Sequence, residues 1–341
     1  MRRFLIFFAL TSALVLLPAA CLSVYFQPLD GDLTRIGAYA ERDFGWNAPH
    51  PVINIHKNGK SMTDPDILVL GDSFSEHNIW QSILSDQLHK KILSFRIDQV
   101  GCINGWLEYA LNQSTAKTVV LETVERNFLD RMLNLDCKDG NFHPFELAAT
   151  TSALTRPNWP PELRVNQTFQ VAINTLKMTA NPNLTLNGNV VNATIKPACA
   201  KFSNRHADRI LYYPVDRDKL RWPPEEQARA ISNVMRLQQR FTGQGKKLVF
   251  IVVPDKLSVY QDCLLADPDR TARKRVNIIQ TLIASGANTP DLLHQFQQQI
   301  GVTVDLYNPN NTHLSESGYL SMARQIAPLF DGRPTAIPAA E

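Results

Sequence analysis

An α/β fold built on a mainly parallel sheet is predicted by two features of the chain. The first is a set of short apolar runs: Ile67–Leu70, Phe95–Val100, Thr118–Glu122, Lys247–Val253 and Val302–Leu306. Most are rich in Val and Ile and are continuous rather than alternating, which marks strands covered by helices on both faces. The second is helical periodicity between those runs. Ile79, Trp80, Ile83, Leu84 and Leu88 recur at helical spacing, as do Trp106, Tyr109 and Ala110. Strand–helix alternation of this kind implies right-handed crossovers between parallel strands.

The remaining helices carry their own start and stop signals. Pro223 and Pro224 open one, since the first turn needs no backbone donor. Ala228, Ile231, Val234, Met235 and Phe241 share its apolar face, and Gly243 and Gly245 close it. Tyr319, Met322, Ala323 and Ile326 form the last helix, with Ser315 as its cap. From about Leu135 to Arg221 the chain is rich in Asn, Thr and Pro with weak periodicity, and it reads as an insertion over the sheet. Within it, "FQVAINTLKM" is a strand or a short helix, and "LTLNGNVVNATI" is a hairpin turning at Asn187-Gly188. The domain reading is an N-terminal segment 1–28, a folded part 29–334 and a tail 335–341.

The first 26 residues set the compartment. Arg2 and Arg3 precede an apolar stretch from Phe4 to Phe26, broken by Pro18, that is long enough to span a bilayer. An uncleaved anchor, a cleaved signal peptide and a lipoprotein signal acylated at Cys21 are the alternatives; Pro18 weakens the last, and the anchor is narrowly favoured. Each places the folded part outside the cytoplasm, in the periplasm or beyond. Cys102, Cys137, Cys199 and Cys263 then suggest two disulfides. A Cys137–Cys199 bridge would staple the insertion. A net charge of +3 over 341 residues, without a basic stripe, argues against a nucleic-acid partner. The sequence has no Cys/His zinc spacing, no Walker motif and no G-x-G-x-x-G, so neither metal nor cofactor is expected.

Two motifs carry chemistry. "GDSFS" places Ser73 directly after the first strand, at the carboxyl edge where open α/β sheets bind ligands. Near a helix N-terminus it is either a cap or a nucleophile. "NNTHLSESGY" places His313 in a loop after the last strand, on the same rim. A serine and a base on one rim is the arrangement that nucleophilic catalysis needs. Asp72 is expected to tie down the Ser73 loop, His77 to lie one turn along the following helix, Lys256 to be a loop lysine, and Trp80 to be core while Trp46 is free to stack on a sugar.

These motifs, with "VVLETVERN" (Val119–Asn127) and "VVPDKLSVYQDCLL" (Val252–Leu265), resemble the SGNH/GDSL hydrolase superfamily. More narrowly, the chain is similar to its alginate O-acetyltransferase-like branch, over most of residues 60–330. The resemblance implies a flavodoxin-like three-layer sandwich with a five-stranded sheet of order 2-1-3-4-5. It implies Ser73 as acyl-accepting nucleophile, His313 as base, and a polysaccharide as acceptor. It also implies a membrane-bound O-acyltransferase partner as acyl donor. The oxyanion would be held by the Ser73 N–H and by groups of the "GCINGW" and "ETVERN" loops: Gly101, Asn104, Arg126 and Asn127. Arg126 is alternatively paired with Glu122 or Glu125.

The chain departs from the superfamily where an aspartate usually precedes the histidine. Asn310 and Asn311 stand there instead. An amide oxygen can orient the ring but cannot stabilise the imidazolium by charge. A Ser-His dyad steadied by Asn310, Asn311 or a backbone carbonyl, a dyad steadied by Asp305, or a site that only binds are the three outcomes. The functional readings are an exported polysaccharide O-acyltransferase, an esterase of the same fold, and a carbohydrate-binding scaffold.

Overall fold

The computed structural model describes residues 1–26, 30–56, 64–136, 165–181, 189–266 and 277–330. At its centre lie four parallel strands, β1 (Ile67–Gly71), β2 (Ile92–Arg96), β3 (Thr118–Val124) and, after a two-stranded excursion, β6 (Lys247–Val253). Their spatial order is β2-β1-β3-β6. Register is tight: Leu68 of β1 lies opposite Leu93 of β2 and Val119 of β3, and β3 and β6 pair along their whole length. β1, and all but the first residues of β3 and β6, are buried, as continuous apolar runs require. Helices Ile79–Leu88, Ile103–Gln113, Pro224–Gly243 and Glu316–Ile326 supply the covering layers.

The sheet has four strands rather than the five expected. The Val302–Leu306 segment does not pair with β6. Asp305 takes a left-handed conformation (φ 51°) that interrupts an extended run, and Val302 and Val304 are exposed. Only Tyr307 and Leu314 bridge there, antiparallel. The free edge of β6 is covered instead by the turn at Asn288, whose carbonyl accepts from the Phe250 N–H and whose amide donates to the Leu248 carbonyl. The second strand is also displaced: extended pairing runs over Ile92–Arg96, and Ile97–Gln99 is already a 3-10 turn.

The described part of the insertion resolves two open readings. "FQVAINTLKM" lies inside helix Val165–Ala180. Strand β4 (Val191–Thr194) pairs antiparallel with β5 (Arg209–Tyr212), so its partner is not the Leu184–Leu186 side of the expected hairpin. That side and Asn187-Gly188 lie outside the described residues. Cys199 bonds to Cys263, not to Cys137, which lies outside the described residues. The bridge joins the insertion to the segment after β6, where Ile195 also pairs with Leu264. Cys102 is disulfide-bonded too, and Cys21 is free.

Helix Arg2–Phe26 is continuous through Pro18 and is mostly exposed. This apolar helix and the disulfides fit an extracytoplasmic protein. Only Ala19, Ser23 and Phe26 of the helix are buried.

Candidate active site

Each residue of "GDSFS" has a separate structural reason. Gly71 ends β1 where a Cβ would stand 2.3 Å from the Ser75 hydroxyl and 2.6 Å from the Glu122 carboxyl, so no side chain fits. Asp72 is buried. Its carboxylate accepts from the Phe74 N–H at 3.0 Å, from the Val124 N–H at 2.7 Å and from Arg131. Burial alone would raise its pKa, but Arg131 and the two N–H groups overcome this and hold the carboxyl below the usual range. Asp72 therefore locks the Ser73 turn to the end of β3. Ser75 donates to Glu122 at 2.7 Å. Burial, with Asp72 beside it, pushes the Glu122 carboxyl well above the ordinary carboxylate range.

Ser73 is not a helix cap. Residues Ser73–His77 form turns, and the next helix begins at Ile79 behind Asn78. His77 thus lies in a turn rather than on a helix. The Ser73 N–H makes no hydrogen bond among the described residues.

The Ser73 hydroxyl is 2.8 Å from Nε2 of His313. Nδ1 of His313 is 2.7 Å from Oδ1 of Asn311. The backbone N–H of His313 also donates to Oδ1 of Asn311, at 3.1 Å. That second donor requires the oxygen, not the amide nitrogen, to face the ring. Nδ1 therefore carries the proton, and the Nε2 lone pair faces the Ser73 hydroxyl. Burial against neighbours such as Phe74, 4.7 Å away between ring centroids, holds the His313 pKa below 6.5. The imidazole is accordingly neutral at pH 7 and able to accept the hydroxyl proton.

Asn310 and Asp305 do not touch the ring. The Asn310 amide donates to the buried Glu41 carboxyl. Asp305 accepts from the Ser203 N–H at 2.8 Å and faces His50 at 3.3 Å.

Two supports of the His313 loop were not legible in the motifs. One is the segment around Asp32. Its carboxylate accepts from the Thr312 N–H at 2.9 Å and from the Thr312 hydroxyl at 2.6 Å. The N–H groups of Leu33 and Thr34 donate to the Asn310 carbonyl. Asp32 also opposes the downward shift of His313, so it is the carboxylate closest in effect to the one missing from the loop. The other support is Lys256. It is buried, and its Nζ donates to the carbonyls of Asn308 at 2.7 Å, Pro309 at 3.1 Å and Asn311 at 3.2 Å. Burial pushes its pKa down to about 7, against the opposing pull of the Asp32, Asp305 and Asp216 carboxylates. Neither an N-terminal "GDL" nor a lysine after a strand signals such a role by type or spacing.

Gly31 reports how closely the Asp32 segment is fitted. A Cβ there would lie 2.1 Å from the Asn310 carbonyl oxygen. Gly31→Ala is expected to cost about 1–3 kcal/mol, the range for overpacking a filled site. Denaturant titration measures this, and an unchanged midpoint would show that the segment yields freely.

The four residues expected to hold an oxyanion or substrate part company. Arg126 pairs with Asp255 at 2.7 Å and Asp216 at 3.5 Å, not with Glu122 or Glu125. Its charge lowers the His313 pKa, which places it in the electrostatic reach of the site. Its guanidinium lies 5.9 Å over the ring of Tyr213, whose hydroxyl is pushed up to about 12, first by burial and then by Asp32. Asn127 is half-buried, and its side chain makes no hydrogen bond among the described residues. Asn104 turns its amide to Asp136 and its N–H to the Leu135 carbonyl. Gly101 is exposed in the left-handed region (φ 77°). Neither Asn104 nor Gly101 bonds to Ser73 or His313. Among the described residues no His/Cys/Asp/Glu group is arranged to hold a metal.

An α/β fold with four parallel strands of this order is consistent with an SGNH-like fold, and Ser73 and His313 meet at the carboxyl edge of its sheet. Residues 213–340 match the family model described as an SGNH hydrolase-like domain, acetyltransferase AlgX. That part of the chain, which includes Lys256 and His313 but not Ser73, is similar to this SGNH hydrolase-like, alginate O-acetyltransferase-like family. No curated protein and no solved structure matches the chain.

Proposed function

We propose that this protein is an extracytoplasmic O-acyltransferase that acetylates a polysaccharide through an ester on Ser73. The observation that carries the reading is the Ser73–His313–Asn311 relay, with Nε2 unprotonated and 2.8 Å from the hydroxyl. In the first half-reaction the Ser73 oxygen attacks the acyl carbonyl and its proton passes to Nε2. The Ser73 N–H, free of other partners, and Arg126 with Asn127 are assigned to the oxyanion or the sugar. The imidazolium returns the proton to the leaving oxygen. In the second half-reaction His313 deprotonates a sugar hydroxyl, which takes the acyl group and frees Ser73. Asn311 keeps the ring in the reactive tautomer, and Asp32, through Thr312, supplies part of the charge that Asn311 cannot.

The apolar helix Arg2–Phe26 is assigned as a retained membrane anchor. The acyl donor is assigned to a membrane-bound O-acyltransferase partner, on the family resemblance alone. The test is to incubate the protein with p-nitrophenyl acetate and an oligosaccharide acceptor, following both p-nitrophenol and acetylated sugar by mass spectrometry. Acetyl-sugar formed in proportion to p-nitrophenol supports transfer. Acetate alone makes the protein an esterase, and no turnover of any ester rejects both enzyme readings.

The pH dependence is specific. The base is the neutral imidazole, and its folded pKa lies below 6.5. The midpoint of the acid limb of activity is therefore expected below pH 6.5. Asn311→Asp puts a carboxylate on the Nδ1 proton, favours the imidazolium, and should raise the acid limb by about 1–3 units. A pH–rate profile for both forms checks the sign. A limb that stays put would remove Asn311 from the relay.

A further inference from the structure

The outer end of the apolar helix is built into the folded part. Ala19, Ser23 and Phe26 fall on one helical stripe and are buried. Phe26 joins Ala38, Ala40 and Val171 in a small core cluster, with Leu22 and Ala172 packed beside it. The Arg42 guanidinium sits 3.9 Å over the Tyr25 ring. Val171 and Ala172 belong to helix Val165–Ala180, which packs against this end of the apolar helix.

Helix Val165–Ala180 has two faces that are not solvent-like. Its inner face carries Thr168, Val171 and Asn174, all buried. The Asn174 amide donates to the carbonyls of Gly37 and Ala38, at 3.3 and 3.2 Å. On the opposite side Phe169, Ile173 and Leu176 recur at helical spacing. Ile173 is 45% exposed and Leu176 71%. The polar Gln170 and Lys177 are exposed at the border of this strip.

The position of the strip identifies what covers it. A hydrocarbon core takes about 20 helical residues, so counting from Phe4 its outer boundary falls near Ser23. The stripe from Ala19 to Phe26 spans about 10 Å at the usual rise per residue. A helix packed against that stripe lies where acyl chains meet headgroups, and an apolar strip on its outer side meets lipid there. We propose that helix Val165–Ala180 is an interfacial helix, lying in the outer leaflet of the bilayer that Arg2–Phe26 spans, with Phe169, Ile173 and Leu176 in the acyl region. An amphipathic helix with a basic border suits that depth. The inference rests on the reading of Arg2–Phe26 as a retained anchor. Its consequence is mechanical. The inner face of the helix holds Gly37 and Ala38, and the same short segment, through Asp32 to Thr34, holds the His313 loop. The site is thereby mounted at a set height over the membrane.

The test uses the full chain in phosphatidylcholine–phosphatidylglycerol vesicles. In a Cys21→Ser background, Leu14→Cys, Gln170→Cys, Ile173→Cys and Leu176→Cys each receive an environment-sensitive fluorophore. Shallow and deep nitroxide lipids then quench by depth. Labels at Ile173 and Leu176 are expected to be blue-shifted and quenched at least twofold more by shallow nitroxide than the label at Gln170. The label at Leu14 should respond to deep nitroxide. Quenching at Leu14 without quenching at Ile173 and Leu176 overturns the interfacial helix and leaves the anchor standing. An unquenched Leu14, or a mature chain lacking its first residues, overturns the anchor and the proposal together. Protection of Ile173 that grows with protein concentration and ignores nitroxide would assign the strip to a second copy of the chain, and would likewise overturn it.

Discussion

Ser73→Ala is expected to lower turnover of p-nitrophenyl acetate by about 10³-fold or more, toward the solution rate, while leaving the fold intact. The two effects separate because of where Ser73 sits. Among the described residues its hydroxyl has a single partner, Nε2 of His313, so its loss costs about 1 kcal/mol of stability at most. The turn is held by its neighbours instead: Asp72 on Phe74, Val124 and Arg131, and Ser75 on Glu122. His313→Ala should lose a similar amount of activity, and the double variant should lose little more than either single one. Such non-additivity is the mark of groups that act as a unit. Thermal midpoints measured beside the kinetics keep unfolding from passing as lost chemistry. If all three variants turn over like the wild type, Ser73 is not the nucleophile.

The second large effect is expected at Lys256. Lys256→Met keeps an apolar stem of similar length, so packing is largely retained, but it strips the donors from three carbonyls of the His313 loop. An orphaned buried acceptor costs about 1–3 kcal/mol, so the variant should be destabilised by about 3 kcal/mol or more. Turnover should fall by about a hundredfold, because displacing a base by about 1 Å is enough for that. Tyr307, whose hydroxyl donates to Pro254 beneath the same loop, is left in place. Urea titration and ester turnover together check the expectation. Wild-type values in both would show that the loop is held by the Asp32 segment alone.

The parts legible in the sequence share one property: they depend on neighbours close along the chain. Lys247–Val253 is a strand because it is apolar from Leu248 onward and bounded by Gly245 and Pro254. Ser315 caps Glu316–Ile326 because its oxygen reaches the Gly318 N–H three residues on. The two halves of the candidate site were legible for the same reason, each as a motif at a strand end, and the strand alternation between them implied that they share a rim. The fifth strand failed because edge pairing is decided across the sheet. Val302–Leu306 has the composition of a strand, yet Asp305 is bent to reach Ser203 and the Asn288 turn takes the edge of β6.

What the sequence by itself determined is the α/β class, four of the strand segments of its parallel sheet, and the residue types Ser73 and His313 at strand ends. Only the tertiary structure decided which asparagine faces the imidazole, which carboxylate stands near it, and which cysteine pairs with Cys199. The physical reason is that hydrogen bonds and disulfides are made over a few ångströms. Asn310 and Asn311 are adjacent in sequence and equal in chemistry. Their separation into a Glu41 partner and a His313 partner is set by the N-terminal segment packed on the loop, some 270 residues away along the chain.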